Sequence, residues 1–129
     1  GIPTINDYFN NNTAQRIIED HGKAKVITAT NVFAHVKNIN SFMEGISKLL
    51  TDDGVFVQES HYLLSLIKNM QCDSIYHEHL RYYNLKPLTN LFEKYGMEVF
   101  DVENSPTHGG SIRTYACKKG AYRITENVF

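Results

Sequence analysis

Val26-Ile27-Thr28-Ala29-Thr30 runs directly into Asn31-Val32-Phe33-Ala34-His35-Val36. The first five residues are β-branched or small and carry no charge, as a parallel strand covered on both faces requires. Helical patterns stand on either side. Upstream, Thr13 offers an N-cap, Ile17 and Ile18 an apolar face, and Gly22 a stop. Downstream, Ser41 and Glu44 have the spacing of a capping box, and Phe42, Ile46, Leu49 and Leu50 repeat at helical intervals.

The alternation continues outward. Ile2-Pro3-Thr4-Ile5, closed by Asn6 and Asp7, reads as an earlier buried strand. Thr51-Asp52-Asp53-Gly54 reads as a turn, Val55-Phe56-Val57 as the next strand, and residues 62–67 as a third helix. Pro87 suits the first turn of a fourth helix and Gly96 its C-terminal cap, with Leu88, Leu91, Phe92 and Tyr95 on the buried side. Residues 97–102 and 111–117 close the chain as a hairpin-like pair. This order predicts an α/β sheet, mostly parallel, with an antiparallel edge.

At 129 residues there is room for one domain and one core. The net charge of -1 argues against a nucleic-acid surface, which needs a basic excess. No apolar run reaches membrane-spanning length, and no signal-peptide pattern opens the chain. Cys72 and Cys117 lie far apart without a partner pattern, which suits reduced thiols in a cytoplasmic protein. The chain opens on a strand-like run and stops at Phe129 without a capping signal, the expectation for a piece of a longer protein.

Sheets of this kind bind ligands beyond the carboxyl ends of their strands. Asp7 lies there after the first strand, Asn31 and His35 after the second, and Tyr76-His77-Glu78-His79 downstream of the third. All four residues of that last run carry or share protons. A histidine takes up a proton near neutral pH, and a neighbouring phenol or carboxylate orients it or steadies developing charge. The set suits removal of a proton beside a carbonyl, the phenol holding the enolate oxygen. A solvated polar loop is the plain alternative. A metal site is weaker: His77 and His79 with His35, His61 and His108 supply ligands, but no helical His-x-x-x-His or His-Glu-x-x-His occurs.

Asp7-Tyr8-Phe9 sets a carboxylate beside aromatic faces, where an adenine ring can stack and donate its amine to Asp7. A surface turn beside core aromatics explains the same residues. Thr107-His108-Gly109-Gly110-Ser111 reads either as a loop closing over substrate or as a hairpin connection that needs its glycines. The Gly-x-Gly-x-x-Gly nucleotide loop is absent.

Three segments in order, Asn31-Val32-Phe33-Ala34-His35-Val36, Ile75-Tyr76-His77-Glu78-His79-Leu80 and Pro106-Thr107-His108-Gly109-Gly110-Ser111, carry a family likeness. With the linking residues 91–102, the chain resembles the sugar C-methyltransferases, bacterial enzymes that use S-adenosylmethionine to methylate a carbon of a nucleotide-linked keto-deoxysugar. The resemblance implies that residues 1–129 are a partial methyltransferase domain. It would hold the second half of a Rossmann-like class I sheet, without the glycine-rich loop for the methionine end of the cofactor and without the flanking zinc and C-terminal modules. It also implies roles. His79 looks like the general base, Tyr76 and His35 like groups that steady the enolate oxygen or the sugar, and Glu78 like a substrate-positioning carboxylate. Asp7, with Tyr8 beside it, matches the adenine position. Asn31 lies where the cofactor passes, His108 lies near the substrate, and His77 is structural. Self-association is expected through an unpaired strand edge at residues 2–5. The alternatives are a methyltransferase for another small ketone or acid, and a non-catalytic α/β interaction module.

Overall fold

The computed structural model describes all 129 residues. Asn10 begins the first helix, α1 (Asn11–His21): its extended backbone lets Oδ1 accept from the amides of Asn12 at 2.8 Å and Thr13 at 3.1 Å. The Thr13 cap is thus corrected. Thr13 is buried, and its hydroxyl is spent on the Tyr8 carbonyl at 2.8 Å. Gly22, at φ 81, ends the helix as its sequence foretold. The second helix, α2 (Ile39–Leu49), repeats the lesson. Asn38 caps it through the Ser41 amide, so Ser41 lies inside the first turn rather than at the cap.

The sheet has four strands: β1 (Ala24–Thr30), β2 (Leu50–His61), β3 (Met97–Ser105) and β4 (Ser111–Lys118), in the order β1-β2-β4-β3. β1 and β2 are parallel, and β4 runs antiparallel to both its neighbours. The turn expected at residues 51–54 is absorbed into β2. Ala24 pairs with Leu50 and Val26 with Val55, so residues 51–54 bulge out opposite Lys25, whose ammonium meets Asp53. Two further helices, α3 (Leu63–Lys68) and α4 (Leu85–Glu93), complete the α/β fold.

One apolar core joins these elements. Phe33, Phe42, Phe56 and Phe92 meet edge-on or tilted at 5.5–6.2 Å between centroids, with Met43, Leu50 and Leu88 filled in around them. Each such side chain removed from water stabilises the fold by about 1.5–3 kcal/mol before entropy is counted. Phe33 is wholly buried two residues before His35, and so it fixes where the site begins.

Residues 2–5 are not a strand. They are exposed, Pro3 offers no amide, and the nearest backbone bond is local, from Asp7 to Ile5. The expected edge at residues 2–5 therefore does not exist. The open edge on that side of the sheet is β1, which pairs only with β2 and leaves Val26 59% exposed.

Candidate active site

β1 is followed directly by Asn31, a non-glycine residue at φ 55 whose amide donates to the Glu59 carbonyl at 2.9 Å. Its side-chain amide donates to His108 Nε2 at 2.8 Å, while Oδ1 is buried with no partner. A left-handed residue with an orphaned acceptor at a strand end is stored strain of the kind found at functional sites.

His35 closes the short 3-10 turn Phe33–His35. Its Nδ1 donates to the Glu78 carbonyl at 3.0 Å, and the Leu80 amide donates to Ala34 at 2.8 Å. Arg81 adds a third tie by donating to the carbonyls of Val36 and Lys37. These links bring the loop of residues 76–80 against the turn that follows β1.

Within that loop, the Tyr76 hydroxyl and His79 Nε2 are 2.9 Å apart, and His79 Nδ1 lies 3.0 Å from the Ser74 carbonyl. A carbonyl only accepts, so Nδ1 carries the hydrogen and Nε2 offers its lone pair to the Tyr76 O–H. His79 is 8% exposed and Tyr76 44%, so the phenol is the outward end of the pair.

The imidazoles form a row. His35 and His61 each lie 5.0 Å from His79 between ring centroids, and His108 lies 5.6 Å from His61. Burial first, then the neighbouring imidazoles of His79, His108 and His35, push His61 below its ordinary value. His61 ends β2 and appeared in the sequence only as a candidate metal ligand. The available signal was Glu59-Ser60-His61 at the carboxyl end of a parallel strand. No group of three or more His, Cys, Asp and Glu side chains is arranged to hold a metal ion.

Glu59 was also missed. It is buried, accepting from the Thr107 hydroxyl at 2.9 Å and from Arg113 Nε at 2.8 Å and Nη2 at 2.6 Å. Burial alone would raise its carboxyl, but these hydrogen bonds and the guanidinium charge outweigh it and hold the group below its usual range. The bond to Thr107 pins the loop that carries His108, which sits at φ 51. Gly110 follows at φ 121, where a Cβ would come within 2.5 Å of the Ser65 Cβ.

Beside His35 opens a cleft of about 920 Å³, lined among others by Tyr8, Phe9, Asn31 and Val32. Tyr8 is 90% exposed. Asp7 adjoins the cleft in sequence but does not line it: its carboxylate accepts from the Tyr8 amide at 2.8 Å and from Arg16 at 3.1 Å. Glu78 meets the site through its backbone, while its carboxylate is exposed and has only His77 nearby at 3.9 Å. His77 is not structural. Its side chain is 90% exposed and makes no hydrogen bond.

Residues 3–102 match the family model described as a methyltransferase domain, and the chain belongs to that family. Over 121 residues it is 40% identical to the C-methyltransferase NovU of Streptomyces niveus. The match covers 94% of this chain and 29% of NovU, so the chain spans under a third of that relative's length.

Solved structures agree on the fold. Magnesium protoporphyrin IX methyltransferase (ChlM) from Synechocystis PCC 6803 with bound SAH superposes with a TM-score of 0.58 at 10% identity, over 75% of this chain and 46% of that one. A SAM-dependent methyltransferase from Anabaena variabilis ATCC 29413 gives 0.59 at 12% identity, over 85% and 55%. The fold is the Rossmann-like α/β fold of S-adenosylmethionine-dependent methyltransferases. No helix is long and apolar enough to cross a membrane.

Proposed function

We propose that residues 1–129 are the proton-handling part of an S-adenosylmethionine-dependent C-methyltransferase domain acting on a nucleotide-linked keto-deoxysugar through an enolate. The observation that carries this reading is the hydrogen-bonded series Tyr76–His79–Ser74, facing His35 at 5.0 Å beside the cleft. The identity to a C-methyltransferase supports carbon as the methyl acceptor.

The cleft suits the nucleoside end of the cofactor. An orphaned amide oxygen on Asn31 wants a donor, and the Tyr8 ring offers a stacking face. Asp7 remains open to an adenine amine, because its pair with Arg16 is exposed and such pairs are worth at most about 1 kcal/mol. S-adenosylmethionine supplies a methyl group already activated on a sulfonium. The protein's own task is to make a carbon nucleophile and to align it.

Substrate entering the site displaces the Tyr76 hydroxyl from His79 Nε2. The freed lone pair takes the proton beside the ketone, and the displaced O–H turns to the enolate oxygen. His35, whose only N–H is committed to Glu78, keeps an acceptor for a sugar hydroxyl. The exposed Glu78 carboxylate accepts from another, and His108 borders the substrate. Two free thiols, one exposed and one buried, accord with a reducing, cytoplasmic setting, and the proposed substrate would place the enzyme in deoxysugar biosynthesis. Self-association through the open edge of β1 completes the reading.

The test is a methyl-labelled cofactor given to the intact protein with a nucleotide-linked keto-deoxysugar. Label on a carbon beside the ketone is expected. Label on oxygen, or none, would end the proposal.

A further inference from the structure

Each imidazole in the row is tethered except one. His35 is held through Nδ1 by Glu78, His79 through both nitrogens by Ser74 and Tyr76, and His108 through Nε2 by Asn31. His61 has no hydrogen-bond partner on either nitrogen, although its ring is half-buried and packed edge-on against His79 and His108. Both ring nitrogens reach the surface rather than lying sealed in the protein, so a ligand seated beside His79 can meet them.

The placement is not accidental to the strand. His61 is the last residue of β2 and pairs with Ser111. It shares a strand face with Glu59, whose carboxylate locks the neighbouring loop through Thr107. The Tyr62 amide bonds Gly110 at 3.1 Å and holds the next residue along. The backbone around His61 is fixed while its ring is uncommitted.

We infer that His61 is a substrate-contacting catalytic residue, donating a ring N–H to the ketone oxygen of the sugar and to the enolate that replaces it. This role rests on the enolate reading above. When the C–H bond beside the ketone breaks, the proton goes to His79. The electron pair becomes the new C=C bond, and the charge on oxygen is met by the His61 N–H and the Tyr76 O–H. His61 neither gains nor loses a proton. Bound S-adenosylmethionine would then supply the methyl group to the enolate carbon, its C–S bond breaking to leave a neutral thioether. His35 cannot share the task, because its N–H is already used by Glu78. His108 has its centroid against His61 rather than His79, one ring further from the base.

The experiment follows solvent deuterium entering a nucleotide-linked keto-deoxysugar, by proton NMR, with the intact protein and no methyl donor. His61→Phe keeps a ring of similar size without the donor, and His61→Asn keeps an N–H. The expected result is exchange and methyl transfer both lowered about 100-fold or more in His61→Phe, as for loss of one oxyanion donor. His61→Asn should recover part of it, and cofactor affinity by calorimetry should stay within about twofold in both variants. Exchange within about threefold of normal in His61→Phe, or His61→Asn no better than His61→Phe, overturns the role. Exchange lost in His79→Asn but kept in His61→Phe removes His61 alone. No exchange by the unmodified protein removes the enolate reading, and His61 with it.

Discussion

The Tyr76 hydroxyl lies 2.9 Å from His79 Nε2, and the rings of the two residues are 4.2 Å apart. The Ser74 carbonyl at Nδ1 fixes which nitrogen is basic, so the lone pair points at the phenol and not into the protein. A base whose tautomer and direction are both set by backbone needs no further residue to orient it. In the proposed reaction this relationship would make Tyr76 the gate to His79.

Tyr76→Phe keeps the ring and removes the hydroxyl. Turnover of the intact protein should fall about 10- to 100-fold, because the base remains while one donor to the enolate is lost. Cofactor affinity should be unchanged. Steady-state kinetics with calorimetry separates the two.

His61 makes stability depend on pH. Burial first and then three neighbouring imidazoles lower its pKa from 6.5. Between the folded and unfolded values the unfolded chain binds more protons, so stability rises with pH there. The contribution is complete above 6.5 and is lost as pH falls below it toward the folded value. Thermal unfolding from about pH 8 to about pH 5 should show that decline, flattened in His61→Phe. An equal slope in the variant would place the pH response elsewhere.

Glu59→Ala leaves Arg113 and Thr107 without their shared acceptor. Breaking a buried pair costs about 3–5 kcal/mol, but the Arg113 side chain is 37% exposed and rehydrates, so about 2 kcal/mol is expected. Denaturant unfolding measures it. A change below about 0.5 kcal/mol would mean that the pair behaves as a surface one.

Gly110→Ala forces a side chain onto φ 121 and into Ser65. The cost should be about 1–3 kcal/mol, with the His108 loop displaced. A drop in melting temperature together with a shift of the His108 ring resonances would register both effects.

Val26→Lys should weaken association along β1, since a charge on an open edge discourages strand pairing. Light scattering over a concentration series reads this directly. A chain that is monomeric throughout, before any substitution, contradicts the association.

The strand pattern was legible wherever tertiary packing and local chemistry agreed. Residues 26–30 and 55–57 lie in strands, and the closing pair was placed, because β-branched runs between turn residues have few other uses. Residues 2–5 show the same apolar character but find no neighbour to pair with, and periodicity carries no information about neighbours. The helix starts were missed by three residues at both Thr13 and Ser41. Each follows an asparagine that can cap equally well, and the choice is made by what else the hydroxyl can reach. The meeting of residues 35 and 76–79 was readable from the strand-end rule. His61 was hidden because its importance lies in the rings around it, not in its sequence neighbours.

The central claim is that His79 pulls a proton from carbon for methyl transfer. The direct measurement is turnover and cofactor affinity of His79→Asn in the intact protein. The account predicts methyl transfer lowered about 100-fold or more, as for loss of a general base, with S-adenosylmethionine binding unchanged. Turnover equal to that of the unmodified protein would contradict it.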